Sequence, residues 1–491
     1  MTRRRLLIVG TGMAGSRLAE DLVAQDGHRS WEITTVGDEL DEPYNRILLS
    51  DVLAGHHRPE DLNLLPPGGF AADRVQQIRG ARVMNIHRSS RTAHLDNHTV
   101  LRYDHLVLAT GSQPVLPALP GLRQVDGSLH PQCFAFRTLA DCRGIMAAAG
   151  RAQRAVVIGG GLLGLEAARG LLGRGLEVEI LHMGPWLMDS QLDSEAGEVL
   201  ARTVTAMGIQ PYVEARAKSI ESDSDGRLVG VRVSDGHLLD CDLVVFAAGV
   251  ASNTRLARQA RLAVGRGVTV DRCLTSVTDS SISAIGDCAE VDGVVLGLVG
   301  PAWEQASIVC TRLLDSSSTA TYTGSRVVTR LKASGIDMAA MGEAGPMPAD
   351  SSGDLEVLSY SDYSRGVYKK IVLRAGRVVG AILLGDVATV GNLALAMDRG
   401  TVVPSNRLPL LFAGLSSADG FPEDALTAPD EATLCHCNNV DHGAVRRAID
   451  DGADDVRAVA QATRATTGCG TCVRSVQALL ADMPAAVRRL A

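Results

Sequence analysis

The chain has 491 residues, room for about three domains. Its 46% apolar and 21% charged residues are an ordinary balance for a protein that buries several cores. A net charge of −8 and a pI near 5.9 argue against a nucleic-acid partner, since no basic concentration exists to neutralise phosphates.

The opening "MTRRRLLIVG" carries an apolar run of only about five residues, short of the ~7–15 of an export signal. It is expected to be a basic lead-in to a first buried strand. Nowhere does an apolar stretch approach the ~18 residues of a membrane span, so no membrane partner is expected. Ten cysteines in such a chain point to reduced thiols in a cytoplasmic protein.

The first strand runs into G-x-G-x-x-G at Gly10, Gly12 and Gly15, followed by helical spacing. The first glycine allows a tight turn, the second lets backbone approach a pyrophosphate, and the third lets helix and strand pack closely. The pyrophosphate then lies on unpaired N–H groups at the helix start. The next strand, "WEITTV", leads to Asp38, the first acid beyond it and 23 residues after Gly15, placed to accept hydrogen bonds from a ribose diol. A third strand, "YDHLVLATGS" (103–112), ends in a small-residue turn at Thr110 and Gly111.

The pattern then repeats. "AVVIGGGLLG" (155–164) supplies Gly159, Gly161 and Gly164, 149 residues after the first set, and "CDLVVFAAGV" (241–250) repeats the later strand and its turn at Gly249. Two nucleotide folds in one chain account for this. In the second unit His182 occupies the position of Asp38, with neither a carboxylate to select NADH nor an arginine to hold a 2′-phosphate, which leaves that choice open. "ISAIGDCAE" (282–290), with Gly286 and Asp287, taken alone is an ordinary turn after a buried strand.

The last sixty residues hold Cys435 and Cys437 as C-x-C and Cys469 and Cys472 as C-x-x-C. Four thiolates at two short spacings suit either Zn²⁺ or a 2Fe–2S cluster. Between the pairs two short helices are expected, with Asp441 as an N-cap and Gly452 as the break. Upstream, 366–386 alternates like two strands joined near Gly376, followed by a helix over 387–400.

Together these motifs resemble the two-dinucleotide flavoprotein reductases, an α/β, glutathione-reductase-like fold. More narrowly, "PYNRILLS" (43–50), "LHMGPWLMDSQLD" (181–193), "TRLKASGIDMAAMG" (329–342) and the cysteine-bearing tail resemble two families. These are the FAD/NAD(P)H half of assimilatory nitrite reductase large subunits and the electron-transfer subunit of assimilatory nitrate reductase. The tail, most clearly "TRATTGCGTC", resembles the bacterioferritin-associated-ferredoxin-like module, which implies a 2Fe–2S cluster on Cys435, Cys437, Cys469 and Cys472, with His436 a non-ligand.

The resemblance implies a discontinuous FAD domain (1–120 and 250–312), an inserted NAD(P)H domain (121–249) and an αβ interface domain (313–412), which in flavoreductases often carries homodimer contacts. A linker (413–433) and a small helical iron–sulfur module (434–491) follow. It also implies that Asp287, beside Gly286, reaches the flavin's ribityl and pyrophosphate region, that Arg46 pairs with FAD phosphate or ribose, and that Glu166 lies near the nicotinamide. Disulfide-reductase relatives carry reactive cysteines soon after the first glycine motif, whereas here residues 10–80 contain none. The remaining six cysteines are expected to be small buried hydrophobes.

The expected activity is that of an NAD(P)H-dependent oxidoreductase that turns hydride into single electrons for a separate nitrate- or nitrite-reducing subunit. Alternatives are a reductase for a ferredoxin or rubredoxin, or a zinc-bearing redox sensor. Because no further cysteine cluster exists, the chain is not expected to reduce nitrite by itself.

Overall fold

The computed structural model describes residues 3–65, 69–71, 73–325, 328–333, 335–345, 354–412, 415, 428–435, 438, 440–467 and 472–482. The chain divides into two units, one of residues 1–48, 58–113 and 250–325, the other of 49–57, 114–249 and 326–491.

The first unit is organised by the strand Arg4–Val9, which pairs in parallel with Trp31–Val36 on one side and His105–Leu108 on the other. The parallel sheet continues to Val75–Ile78 and to Asp279–Ala284 at its two flanks. Strands covered on both faces need unbroken apolar runs rather than alternation, and Leu6, Leu7, Ile8, Leu106, Val107 and Leu108 are all buried. A crevice opens where the chain leaves the central strand for neighbours on opposite sides, at its carboxyl end. The first glycine turn sits there.

The second unit repeats this plan. Its parallel sheet runs in the order Ile209–Tyr212, Glu177–Leu181, Arg154–Ile158, Leu243–Phe246, Cys133–Ala135, with Arg154–Ile158 central and ending in the second glycine turn. A five-stranded antiparallel sheet follows, in the order Val328–Ala333, Ile336–Gly342, Arg377–Leu384, Val367–Arg374, Leu355–Asp362. The two strands expected around Gly376 form its hairpin, and the turn places both Ala375 (φ 48°) and Gly376 (φ 68°) in the left-handed region that suits strand twist. The helix Val390–Arg399 lays Leu393, Ala394 and Ala396 against this sheet.

Within the unit, Asp193 fastens this sheet to the nucleotide-binding layer. It caps the helix Ser194–Ala206 by accepting from Ala196 N at 3.0 Å, and it accepts from Tyr368 Oη and Lys370 Nζ, each at 2.9 Å. Burial, then the bond to Asp193, holds the Tyr368 phenol far above its ordinary range, so it stays a donor.

The small carboxyl-terminal module begins with the hairpin Thr433–Cys435 and Val440–Asp441, followed by helices His442–Asp450, Val456–Thr463 and Val473–Ala481. As the sequence implies, Asp441 caps the first helix, accepting from Ala444 N at 2.6 Å, and Gly452 breaks the chain at φ 106°. Most of the expected linker, residues 413–414 and 416–427, lies outside the described residues. Among the described residues no helix is long and apolar enough to cross a membrane.

One half-buried base gives the first unit a pH signature. His105 sits edge-on to Trp31, its Nε2 3.0 Å from Ser283 Oγ, and burial, followed by the nearby Arg4 charge, pulls its pKa down to about 4. Between about pH 6.5 and 4 the unfolded chain takes up a proton that the folded chain refuses, so this contribution is complete above pH 6.5 and fades as pH falls. Its full size is about 3 kcal/mol. Thermal melts from pH 7 to 4 are expected to show a smaller loss of Tm in His105→Gln than in the wild type.

Candidate dinucleotide and cluster sites

The two glycine turns are built alike. A Cβ on Gly10 (φ 113°) would lie 2.1 Å from Ala109 O, and one on Gly159 (φ 123°) 2.3 Å from Ala247 O. A Cβ on Gly15 would lie 2.0 Å from Gly10 O, and on Gly164 1.8 Å from Gly159 O. Both turns therefore close only with glycine. Gly12 and Gly161 begin the helices Met13–Ala24 and Leu162–Gly173, and neither supplies a side-chain cap. First-turn N–H groups are left for an anion. Around Gly111, Gly161 and Gly249 nothing lies within 4 Å of an added Cβ, the room a ligand backbone needs.

Several predicted residues of the first unit gather at its turn. Gly286 (φ 73°) donates its N–H to Gln305 Oε1 at 2.7 Å and packs close to Ala14 on the first turn of the glycine-led helix. Asp287 follows, its Oδ2 accepting from Ser112 Oγ at 2.7 Å. Thr110 Oγ1 donates to Asn253 O at 2.8 Å, which fixes the Thr110–Gly111 corner.

Arg46 lies against the same turn, its Nε 3.6 Å from where a Gly12 Cβ would be. Burial opposes its charge, but Tyr44 and Glu39 outweigh that and raise its pKa above the ordinary value. Its guanidinium is ion-paired with Glu39, which also accepts from Tyr44 Oη at 2.7 Å.

Asp38, the acid chosen from sequence, is half-exposed and accepts from Arg82 Nη2 at 3.2 Å. The acid that turns toward Arg46 is Glu39. Sequence reasoning missed it because acids at 38, 39, 41 and 42 give no local signal of which one faces inward. It also missed Gly37, whose Cβ would meet Thr11 Oγ1 of the glycine turn at 2.0 Å.

In the second unit, Glu166 is half-buried on the glycine-led helix. His182 stands at the end of the strand Glu177–Leu181, and its Nδ1 accepts from the Gly160 N–H at 3.2 Å, a glycine that sequence reasoning did not single out.

The carboxyl-terminal module brings Cys435 and Cys472 into one small core with Leu434, Val445, Val459 and Val476. Cys472 is the N-cap of the helix Val473–Ala481, where the helix dipole favours a thiolate. Its Sγ accepts from the Thr466 N–H at 3.2 Å, and Cys435 Sγ accepts from Asn438 Nδ2 at 3.6 Å. Asn438 Nδ2 also lies 3.3 Å from Thr467 Oγ1, tying the two cysteine-bearing loops together. N–H groups aimed at sulfur fit a cluster ligated by thiolates. Cys437 and Cys469 lie outside the described residues.

Five of the other thiols are not prepared for chemistry. Burial pushes Cys133, Cys241 and Cys310 up to about 12 and Cys142 to about 11, and raises the fully buried Cys288 as well. Cys273 differs from the expectation of burial: it is half-exposed.

Residues 4–307 match the pyridine nucleotide-disulphide oxidoreductase model. The chain belongs to that family. Its residues 328–401 match the rubredoxin NAD⁺ reductase C-terminal domain, and 433–482 match the BFD-like [2Fe-2S] binding domain. The chain is similar to nitrite reductase [NAD(P)H] of Bacillus subtilis, at 34% identity over 97% of this chain and 58% of that protein. It is also similar to the assimilatory nitrate reductase electron transfer subunit of the same organism, at 32% identity over 98% and 60%. It thus spans little more than half the length of these relatives. Among solved structures it resembles a ferredoxin reductase from Rhodopseudomonas palustris, with a TM-score of 0.70, 28% identity, and 82% and 96% of the two chains covered.

This oxidoreductase takes FAD, a pyridine nucleotide and a 2Fe–2S cluster as cofactors, and the glycine turns and sulfur-directed donors fit them. Gly15→Ala is expected to cost about 1–3 kcal/mol by forcing the helix off the strand. The variant should co-purify with less than half the wild-type flavin, measured by absorbance after denaturation. Asn438→Ala removes a donor from Cys435 sulfur and is expected to move the cluster potential to a more negative value in a redox titration followed by EPR.

Proposed function

We propose that the chain is the reductase component of nitrate or nitrite assimilation, taking electrons pairwise from NAD(P)H and delivering them singly to a separate catalytic subunit. The observation that carries this reading is the union, in one chain, of two glycine-led nucleotide turns with a sulfur-lined carboxyl-terminal module. Likeness over nearly the whole chain to an assimilatory nitrate reductase electron transfer subunit supports the choice of pathway.

When bound, FAD accepts the nicotinamide hydride and the 2Fe–2S cluster carries the electrons one at a time. The residues of the chain bind and orient. The open first turn of the helix Met13–Ala24 holds the FAD pyrophosphate, and Arg46, fixed by Glu39 and Tyr44, adds a planar cation beside it. Asp287, oriented by Ser112, hydrogen-bonds the ribityl chain. Glu166 lies near the nicotinamide and positions it. Cys435, Cys437, Cys469 and Cys472 ligate the cluster, with Asn438 and the Thr466 amide donating to two of the sulfurs. Raised thiol pKa values leave Cys133, Cys142, Cys241, Cys288 and Cys310 unactivated for disulfide chemistry.

The fold likeness to a ferredoxin reductase favours, as the second reading, delivery to a small iron–sulfur protein. Anaerobic NADH addition is expected to bleach both flavin and cluster absorbance in the wild type. In Cys472→Ser, flavin bleaching should persist while reduction of a purified molybdenum- or sirohaem-bearing partner falls at least about tenfold, one decade being about 1.4 kcal/mol. Turnover with a ferredoxin but with neither of those partners would establish the second reading instead.

A further inference from the structure

We infer that Asp189 makes this chain selective for NADH over NADPH, an assignment that rests on the second glycine turn holding the pyridine nucleotide. The position that usually decides this choice is the end of the second strand of the nucleotide unit, close to the glycine turn. His182 occupies it, but its side chain is committed elsewhere. Its Nδ1 accepts from the Gly160 N–H at 3.2 Å, and its main chain is tied to Tyr212 O and Ala215 N at 2.8 and 2.9 Å. A ring whose Nδ1 accepts carries its proton on Nε2 and is neutral. While that bond holds, His182 is no cation for a 2′-phosphate.

The chain then doubles back. Met188, at φ 57°, donates its N–H to Gly160 O at 2.9 Å, which returns residues 188–189 to the glycine turn. Asp189 Oδ1 comes to 3.4 Å from His182 Nε2, without the alignment of a hydrogen bond. Gly184 makes the fold-back possible: a Cβ there would lie 2.2 Å from Asp189 Oδ2 and 2.7 Å from His182 Nε2. A carboxylate absent from the expected position in sequence is thus restored from seven residues downstream.

The state of that carboxylate favours one ligand chemistry. Its side chain is 34% exposed, and among the described residues it pairs with no lysine or arginine and receives no hydrogen bond. It has acceptor capacity for ribose hydroxyls, which donate, and it repels a phosphate, which cannot. A charged hydrogen bond of this kind corresponds to roughly tenfold or more in affinity.

The test uses the full chain loaded with its flavin and cluster, titrated calorimetrically with ADP-ribose and with 2′-phospho-ADP-ribose. Alongside it, kcat/KM is measured for NADH and NADPH with ferricyanide as acceptor. Wild type is expected to bind ADP-ribose at least about tenfold tighter, with the same preference in kcat/KM. The isosteric Asp189→Asn should shrink both ratios at least threefold, and Asp189→Arg should bring them to parity or invert them. Both ligands bound with no preference, or ratios unmoved in Asp189→Asn, would overturn the role of Asp189 while leaving the nucleotide site standing. If neither ligand binds and neither coenzyme bleaches the flavin, the nucleotide reading and this assignment fall together.

Discussion

The structure depends on one steric constraint, met twice: a glycine turn pressed so closely against a neighbouring strand end that no side-chain carbon fits. At Gly10 and Gly159 the obstacle is the carbonyl of Ala109 or Ala247, and at Gly15 and Gly164 it is the carbonyl of the first glycine in each turn. That closeness brings the helix start, its free N–H groups and the following small-residue corner into one crevice. Three of the residues singled out from the sequence are placed by this contact: Asp287 through Gly286 on Ala14, Arg46 across Gly12, and His182 through Gly160.

Backbone placement was therefore legible in the sequence, because glycine spacing and apolar runs report close approach and burial directly. The duplicated turns, the Gly376 hairpin, the Asp441 cap and the Gly452 break all follow from local chemistry that a few residues specify. Side-chain selection within a loop was less legible. Asp38 and Glu39 are adjacent acids of similar propensity, and what separates them is the guanidinium of Arg46, seven residues further on. Asp189 illustrates the same limit over a fold-back: its approach to His182 is set by the positive φ of Met188 and by the room Gly184 leaves, neither of which shows as periodicity.

The carboxyl-terminal module shows a different economy. Its core is small, and two of its most buried members, Cys435 and Cys472, are also polarisable atoms that accept N–H bonds. Thr466 adopts φ 72°, an uncommon conformation for a β-branched residue, and in doing so aims its amide at Cys472 sulfur. Packing and ligand orientation are thus carried by the same few residues, which is why motif spacing alone left zinc and iron–sulfur chemistry undivided.

The buried thiols of the body have a practical corollary. A sulfhydryl kept protonated reacts slowly with maleimides and haloacetamides. Five of the six cysteines in the reductase body are sheltered in this way, leaving half-exposed Cys273 as the one to replace before site-directed labelling. With that single exchange, a cysteine introduced on the surface of the body would be set apart from the body's native thiols as an attachment point for a fluorophore or spin label.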